Sequence, residues 1–402
     1  MRRNCLSVGL LFLVFGAPGA LAQVIQPLLP VGDAVTHVQA MNGAGMAAGY
    51  QSNNDGDVPI VWQNAPGGYV PSLLPMIPGA TFGAVNGISS NGLLAGYVQP
   101  EDQLTATAVV WHETSPPSGY LVTPLPAPSG FEINAAFSVN AAGSAAGFVS
   151  RGDGHSEAVV WSLLNEVYGI TLLPRQADEP DAAATFITDR GDVAGYGLTR
   201  FGPRGAVWRP APFGPPGFFQ QSLISVESTL PTSLSAGGFG TGVYWLDQPM
   251  VYALFEGDYY GTELPLPDRS TEGASNAINA DDAIVGYAKD ITTTLSGQEA
   301  AIWLPTDEFW DFLNLNTWLA QVDPESAEHW TLLEATGISD EWLVAGNGLF
   351  DPDGAGPLGA VERAFVLDVS ALPEPAGGGA LVLALLALLG RRRAPTSPGR
   401  HV

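Results

Sequence analysis

Cysteine is nearly missing from this chain: Cys5 is the only one in 402 residues. Lysine is as scarce, with Lys289 alone, and charged residues of all kinds make up 14%. Basic residues number 15 against 40 acidic ones, giving a formal net charge of −25. With one cysteine there is no disulfide framework and no cysteine-based metal site. With one lysine and no glycine-rich loop ending in Gly-Lys, nucleotide hydrolysis has no support. The acidic balance disfavours nucleic acid, whose phosphates it would repel. Long apolar runs occur only near the two ends, at Leu6 to Phe15 and Ala380 to Leu389. Glycine and proline are abundant instead, 49 and 33 residues. They weaken a helix interior by roughly 1 and 3 kcal/mol each, which excludes helical bundles and coiled coils. At 46% hydrophobic the chain is too apolar to be a disordered acidic tail.

The ends read as addresses. Arg2 and Arg3, the apolar stretch Leu6 to Phe15 and the small-residue pattern Ala20-Leu21-Ala22 predict a secretory signal peptide over 1–22, cut between Ala22 and Gln23. Cys5 leaves with it. Residues 371–402 carry Pro373-Glu374-Pro375, Gly377 to Gly379, the apolar run and Arg391-Arg392-Arg393. That run is short of the ~20 residues that span a bilayer comfortably, but the arginines would hold it transiently at the membrane. A fortuitous hydrophobic tail is the plain alternative. The combination resembles a PEP-CTERM sorting signal, and the glycine triplet also resembles the related GlyGly-CTERM signal. The PEP-CTERM resemblance implies a bacterial protein handed to an exosortase-type sorting enzyme, cleaved near the motif and displayed at, or released from, the cell surface. Without the basic ends and Glu374, residues 23–370 hold 9 basic and 39 acidic side chains, a net charge near −30.

Between the ends one unit recurs seven times: an apolar residue, then Asn, Ser or Thr, and a glycine seven positions later. The pairs are Asn42 and Gly49, Ser89 and Gly96, Asn140 and Gly147, Thr188 and Gly195, Ser235 and Gly242, Asn279 and Gly286, Ser339 and Gly346. In the second copy, Thr81 to Ile88 and Leu93 to Val98 flank an Asn91-Gly92 hairpin signal, followed by Ala108 to Trp111 and Tyr120 to Pro126. The third run recurs as Ile60 to Trp62, Val159 to Trp161, Ala206 to Trp208, Met250 to Tyr252, Ala301 to Trp303 and Phe365 to Leu367. Such continuous apolar runs suit strands covered on both faces. The fourth recurs as Leu73-Leu74-Pro75, Leu125-Pro126, Leu172-Leu173-Pro174 and Leu266-Pro267.

Four-stranded units apolar on both faces must stack on their neighbours. The expected fold is all-β, a seven-bladed β-propeller over 23–370 with an insertion at 305–330 between repeats six and seven. A linear β-solenoid is the alternative. The last copy ends at Phe365 to Leu367 without a fourth strand, and the mature chain opens on Gln26-Pro27-Leu28-Leu29-Pro30 without preceding strands. This predicts that the N-terminal strand completes the last blade and closes the ring. The unit, best seen in Ala277-Ile278-Asn279 to Gly286, resembles the HAF-family extracellular repeat. That resemblance covers about 34 to 369 and implies no activity or cofactor.

Chemistry is sparse. The five histidines have no metal-ligand spacing, and no Gly-x-Ser-x-Gly elbow occurs. Asp55, Asp57, Asp153, Asp351 and Asp353 fall on Gly-containing loops between second and third strands, expected on one rim, where oxygen ligands would suit weak Ca2+ binding. The same residues serve equally as turn formers. Trp62, Trp111, Trp161, Trp208 and Trp303 share one repeat position and read as core between blades, not a sugar-stacking surface. Phe309 to Leu319 reads as a short helix, its aromatics packed on the ring or forming a binding platform. No catalytic or cofactor-binding residue is assigned. The expected function is a non-catalytic binding or structural module, its partner an extracellular polysaccharide or a surface protein. A polysaccharide-active enzyme with a carboxylate pair at the channel is the alternative.

Overall fold

The third apolar run of each repeat divides its side chains between two cores. Ile60 and Trp62 pack with Ala345, Ala364 and Val366 of the last repeat, whereas Val61 packs with Val85, Leu94 and Val109 of the second. Each sheet is therefore a layer between two others. The computed structural model describes residues 24–54, 56–101, 105–114, 119–211, 217–235, 238–244, 247–255, 258–268, 270–290, 297–307, 309–354 and 359–372. Among them, twenty-eight strands form five four-stranded sheets and one eight-stranded sheet made of two four-stranded sets.

Blade 1 runs through Val35–Met41, Ala47–Asn53, Gly56–Ala65 and Gly68–Leu73. Blade 2 comprises Phe82–Ile88, Leu94–Gln99, Thr107–Glu113 and Tyr120–Pro124; blade 3, Ile133–Val139, Ala145–Ser150, Ser156–Leu164 and Val167–Leu172. Blades 4 and 5 run Asp181–Ile187, Val193–Thr199, Gly202–Pro210, Phe219–Glu227 and then Thr229–Leu234, Phe239–Tyr244, Gln248–Phe255, Asp258–Glu263. Blade 6 is Ser270–Ile278, Ile284–Asp290, Gln298–Pro305 and Trp310–Asn314, and blade 7 is Trp330–Ile338, Leu343–Phe350 and Val361–Asp368. The first strand of every blade touches the first strands of both neighbours, blade 7 touching blade 1, so the innermost strands close a seven-membered cycle. This is a β-propeller, and the solenoid is set aside.

Closure is made by Ile25–Pro27, antiparallel to the last strand with Gln26 opposite Val366. Leu28 N donates to Ala364 O and Asp368 N to Val24 O, both at 2.8 Å. By alternation these bonds leave Pro27 at a non-hydrogen-bonded position, where its missing N–H costs nothing. The pairing starts one residue earlier than expected. Leu29 is outside it and exposed, but its carbonyl accepts from Trp62 Nε1 at 2.7 Å.

That bond repeats around the ring. Trp111, Trp161, Trp208 and Trp303 donate from Nε1 to the carbonyls of Pro75, Pro126, Pro174 and Pro265 at 2.6–2.7 Å, each carbonyl lying just past the outer strand of the preceding blade. The Leu-Pro pairs are thus crossing segments, not strands, and in blade 5 the pair is Leu264-Pro265, correcting Leu266-Pro267. Blade 4 has no such crossing: a single residue, Ser228 at φ 62°, joins its last strand to blade 5. Blade 5 accordingly carries Tyr252, whose hydroxyl donates to Ser233 O at 2.8 Å. Trp111→Phe would keep most of the ring and leave the Pro75 carbonyl without its donor, an expected loss of about 2 kcal/mol measured by urea unfolding.

The polar residue of the repeat unit caps the turn between first and second strands. Asn42 Oδ1 accepts from Met46 N at 2.9 Å, and Ser89 Oγ from Leu93 N at 2.8 Å. Asn42 Nδ2 also reaches Ser89 O of the next blade, as Asn140 Nδ2 reaches Thr188 O, both at 3.0 Å. In the second copy only Gly92 has positive φ, so the hairpin is not the two-residue turn with both central residues left-handed that Asn-Gly favours.

The repeat glycine answers a β-bulge. In every blade the first strand is bulged opposite the second, between Val85 and Gly87 in blade 2, and the residue before that bulge faces the repeat glycine; the first strands of blades 6 and 7 carry a second bulge nearer their start. The bulge drives the neighbouring first-strand carbonyl across the ladder. A Cβ on Gly96 would stand 1.9 Å from Ala84 O, and one on Gly147 2.0 Å from Ala135 O. The segment expected as one helix over Phe309 to Leu319 is split. Trp310–Asn314 is the outer strand of blade 6, and Asn314 caps α1 (Leu315–Val322) by accepting from Thr317 N. A second helix, α2 (Pro324–His329), completes the insertion. Trp310, Trp318 and Trp330 are buried, which makes them packing residues and not a platform.

Candidate functional site

Alternation of strand direction gives the ring two rims. One carries the hairpins between first and second and between third and fourth strands; the other carries the second-to-third hairpins and the blade-to-blade crossings. The aspartates singled out as calcium candidates belong to the second rim. Asp57 accepts from Ser52 Oγ at 2.5 Å, and Asp153 accepts from His155 N at 3.1 Å. Asp351 is buried, and its Oδ1 accepts from Asp353 N at 3.2 Å. These are turn-forming bonds within single hairpins. Asp55 lies outside the described residues. Among the described residues no three His, Cys, Asp or Glu side chains come together to hold a metal. Ala22, Gln23, Pro373, Glu374, Pro375 and Arg391 to Arg393 also lie outside the described residues, among which no helix is long and apolar enough to cross a membrane.

The innermost strands carry few carboxylates, and they fall on different blades. Glu334 of blade 7 accepts from Asn276 Nδ2 of blade 6 at 3.0 Å, and its burial pushes the carboxyl pKa up. Glu272 takes Lys289 Nζ at 2.7 Å, and Asp181 accepts from Ser156 N at 2.9 Å. The bulged residues stitch neighbouring blades: Asn86 Nδ2 donates to Ala136 O and Thr232 Oγ1 to Ser275 O, at 2.9 and 2.7 Å. Beside the repeat glycines, Tyr50, Tyr97, Tyr196 and Tyr287 are half-buried, and burial raises their hydroxyl pKa values.

Where blade 3 meets blade 4, the second rim opens into a cleft of about 250 Å³ lined by Phe131, Arg151, His155, Glu157, Arg175 and Pro180. Arg151 opens the hairpin turn of blade 3, closed by Gly154 N to Arg151 O at 3.0 Å, and its guanidinium lies 4.7 Å from the centre of the Phe131 ring. His155 Nδ1 stands 3.3 Å from Asp181 Oδ1. Arg175 is fixed from two sides: its Nε and Nη2 bond the Glu157 carboxylate at 3.0 and 3.3 Å, and its Nη1 donates to Glu179 O.

Beneath that pair sits Glu179, fully buried, which accepts from Gln176 N at 2.9 Å and meets Arg204 Nη1 at 3.4 Å. It occupies the space Gly197 leaves open, since a Cβ there would stand 2.3 Å from its carboxyl carbon. Arg204 also bonds Asp178 at 3.0 Å, holding that carboxyl below the usual range. This partly buried network, centred on Glu179, fixes the wall of the cleft before any ligand arrives. The sequence held one signal for this place: of the nine basic residues in 23–370, six fall between Arg151 and Arg209.

No family model matches the chain, and no curated protein does. Solved structures with similar architecture include the WD40 domain of SCAP from fission yeast, 10% identical, covering 86% of this chain and 87% of that one at a TM-score of 0.44. A mutant of AofleA from Arthrobotrys oligospora is 13% identical over 70% of this chain and 87% of that one, at a TM-score of 0.40. Trypanosoma rangeli sialidase is 9% identical over 73% and 57%, at 0.37.

Proposed function

We propose that the chain is an exported bacterial repeat propeller of the HAF type, a non-catalytic binding module delivered to the cell surface. Its N-terminal signal would direct export, and Pro373-Glu374-Pro375 with the arginine cluster would hand it to an exosortase-type enzyme. The observation that carries the binding role is the preorganised cleft at blades 3 and 4. It offers apolar walls and a few fixed polar groups, the composition of a small-ligand site. On the innermost strands Glu334, Glu272 and Asp181 are each engaged by a partner of their own, Asn276, Lys289 and the Ser156 N–H, which favours a structural role for them.

A glycan-array screen of the mature chain, with a reducing-end assay on every glycan bound, tests this. Retention without hydrolysis is expected. Release of new reducing ends would instead favour a channel enzyme using paired carboxylates. Export is tested by fractionating cells that carry Arg391, Arg392 and Arg393 all changed to Gln. Unprocessed, mislocalised protein is the expected result, and normal surface display would contradict the sorting role.

A further inference from the structure

We infer that the cleft between blades 3 and 4 recognises a sugar ring bearing a carboxylate, a uronic-acid unit of an acidic polysaccharide, with Arg151 as the group that takes the carboxylate. This rests on the binding-module reading and names its ligand class. Of the two arginines lining the cleft, Arg175 is neutralised by Glu157 through two bonds. Arg151 remains: among the described residues its guanidinium has no hydrogen bond or ion pair, only the Phe131 ring beneath it.

A guanidinium over an aromatic ring keeps N–H donors directed away from that ring, in the fork that matches a carboxylate. A cation held against an aromatic ring has also lost much of the side-chain freedom that binding would otherwise cost. Phe131 and Pro180 add apolar wall that a small inorganic anion would not cover and the C–H face of a sugar ring would. At about 250 Å³ the cleft suits a single ring, and its opening onto the rim lets a polymer continue on either side. On a chain with a net charge of −25, Arg151 offers an anionic polymer a positive charge beside an apolar wall.

Calorimetric titration of the mature chain with galacturonic-acid oligomers, matched galactose oligomers and inorganic sulfate tests the inference. The uronate oligomers should bind at least about tenfold tighter than the neutral ones, the worth of one charge-assisted hydrogen bond. Sulfate should not compete. Arg151→Ala should remove that preference, Arg151→Lys should restore it only in part, and Arg190→Ala on the opposite rim should change nothing. Equal affinity for both oligomers, or full uronate affinity in Arg151→Ala, would overturn the carboxylate assignment and leave the module reading standing. Binding of sulfate alone would also overturn it, as would binding of neither oligomer, which counts against the module reading as well.

Discussion

Gly96→Ala will destabilise the protein by about 3 kcal/mol or more, whereas Gly169→Ala will be close to neutral. Both glycines are in strands and neither has positive φ, so backbone freedom does not separate them. Space does. A Cβ on Gly96 would stand 1.9 Å from Ala84 O and 3.0 Å from Val85 Cα, both backbone atoms that cannot rotate aside. Relief would require undoing the bulge between Val85 and Gly87, and with it the bond from Asn86 Nδ2 to Ala136 O that ties blade 2 to blade 3. Gly169, on an outer strand, has nothing within 4 Å of the same atom. Urea midpoints at unchanged slope measure the difference. Equal midpoints would mean that the seven repeat glycines serve some purpose other than clearing the bulged carbonyl.

A chain begun at Val31 will fail to persist as a folded monomer. The truncation removes Ile25 and Leu28, both fully buried, from two separate cores, and each is worth about 2–5 kcal/mol by analogy with large-to-small core substitutions. Trp62 also loses the Leu29 carbonyl. The sum is comparable to the whole stability of an ordinary domain, about 5–15 kcal/mol. The last strand, Val361–Asp368, would then present an unpaired edge, a template for pairing with another copy. Size-exclusion chromatography and thermal melts of the two forms check this. A truncated monomer with an unchanged melting temperature would make the closing strand dispensable.

The blades were legible because their signals are local. The Asn, Ser or Thr that caps each turn lies seven residues from the glycine that faces the bulge, so both survive insertions elsewhere. The tryptophans were read correctly as core. Two registers were not legible. Leu264-Pro265 and Leu266-Pro267 differ by two residues, which leaves each leucine on the same face of an extended chain. Only the bond from Trp303 to Pro265 O, made by the next blade, decides between them. Phe309 to Leu319 carries apolar residues that suit strand or helix equally over so short a run. The boundary falls at Asn314, whose side chain caps α1.

The cleft was hidden for a different reason. Phe131, Arg151, Arg175 and Pro180 come from the entry to blade 3, one of its hairpins and the crossing to blade 4. No spacing rule joins them, and the excess of arginine between 151 and 209 marked the region without the geometry. Of the aspartates that share a pattern, Asp57, Asp153 and Asp351 each accept a bond within their own hairpin, as turn formers do.

A disulfide between Gln26→Cys and Val366→Cys reports on whether the ring is closed by its own N-terminus. These residues face each other in the closing pair, a separation of about 5.5 Å between Cα atoms that a disulfide can bridge. Cys5 is the only native cysteine, so a chain expressed from Gln23 has no other to compete. In a closed ring the intramolecular bond will form quantitatively in the folded protein, seen by mass spectrometry, with a raised unfolding midpoint from closing so long a loop. Two thiols that stay free under oxidising conditions, or that pair only between molecules, would contradict it.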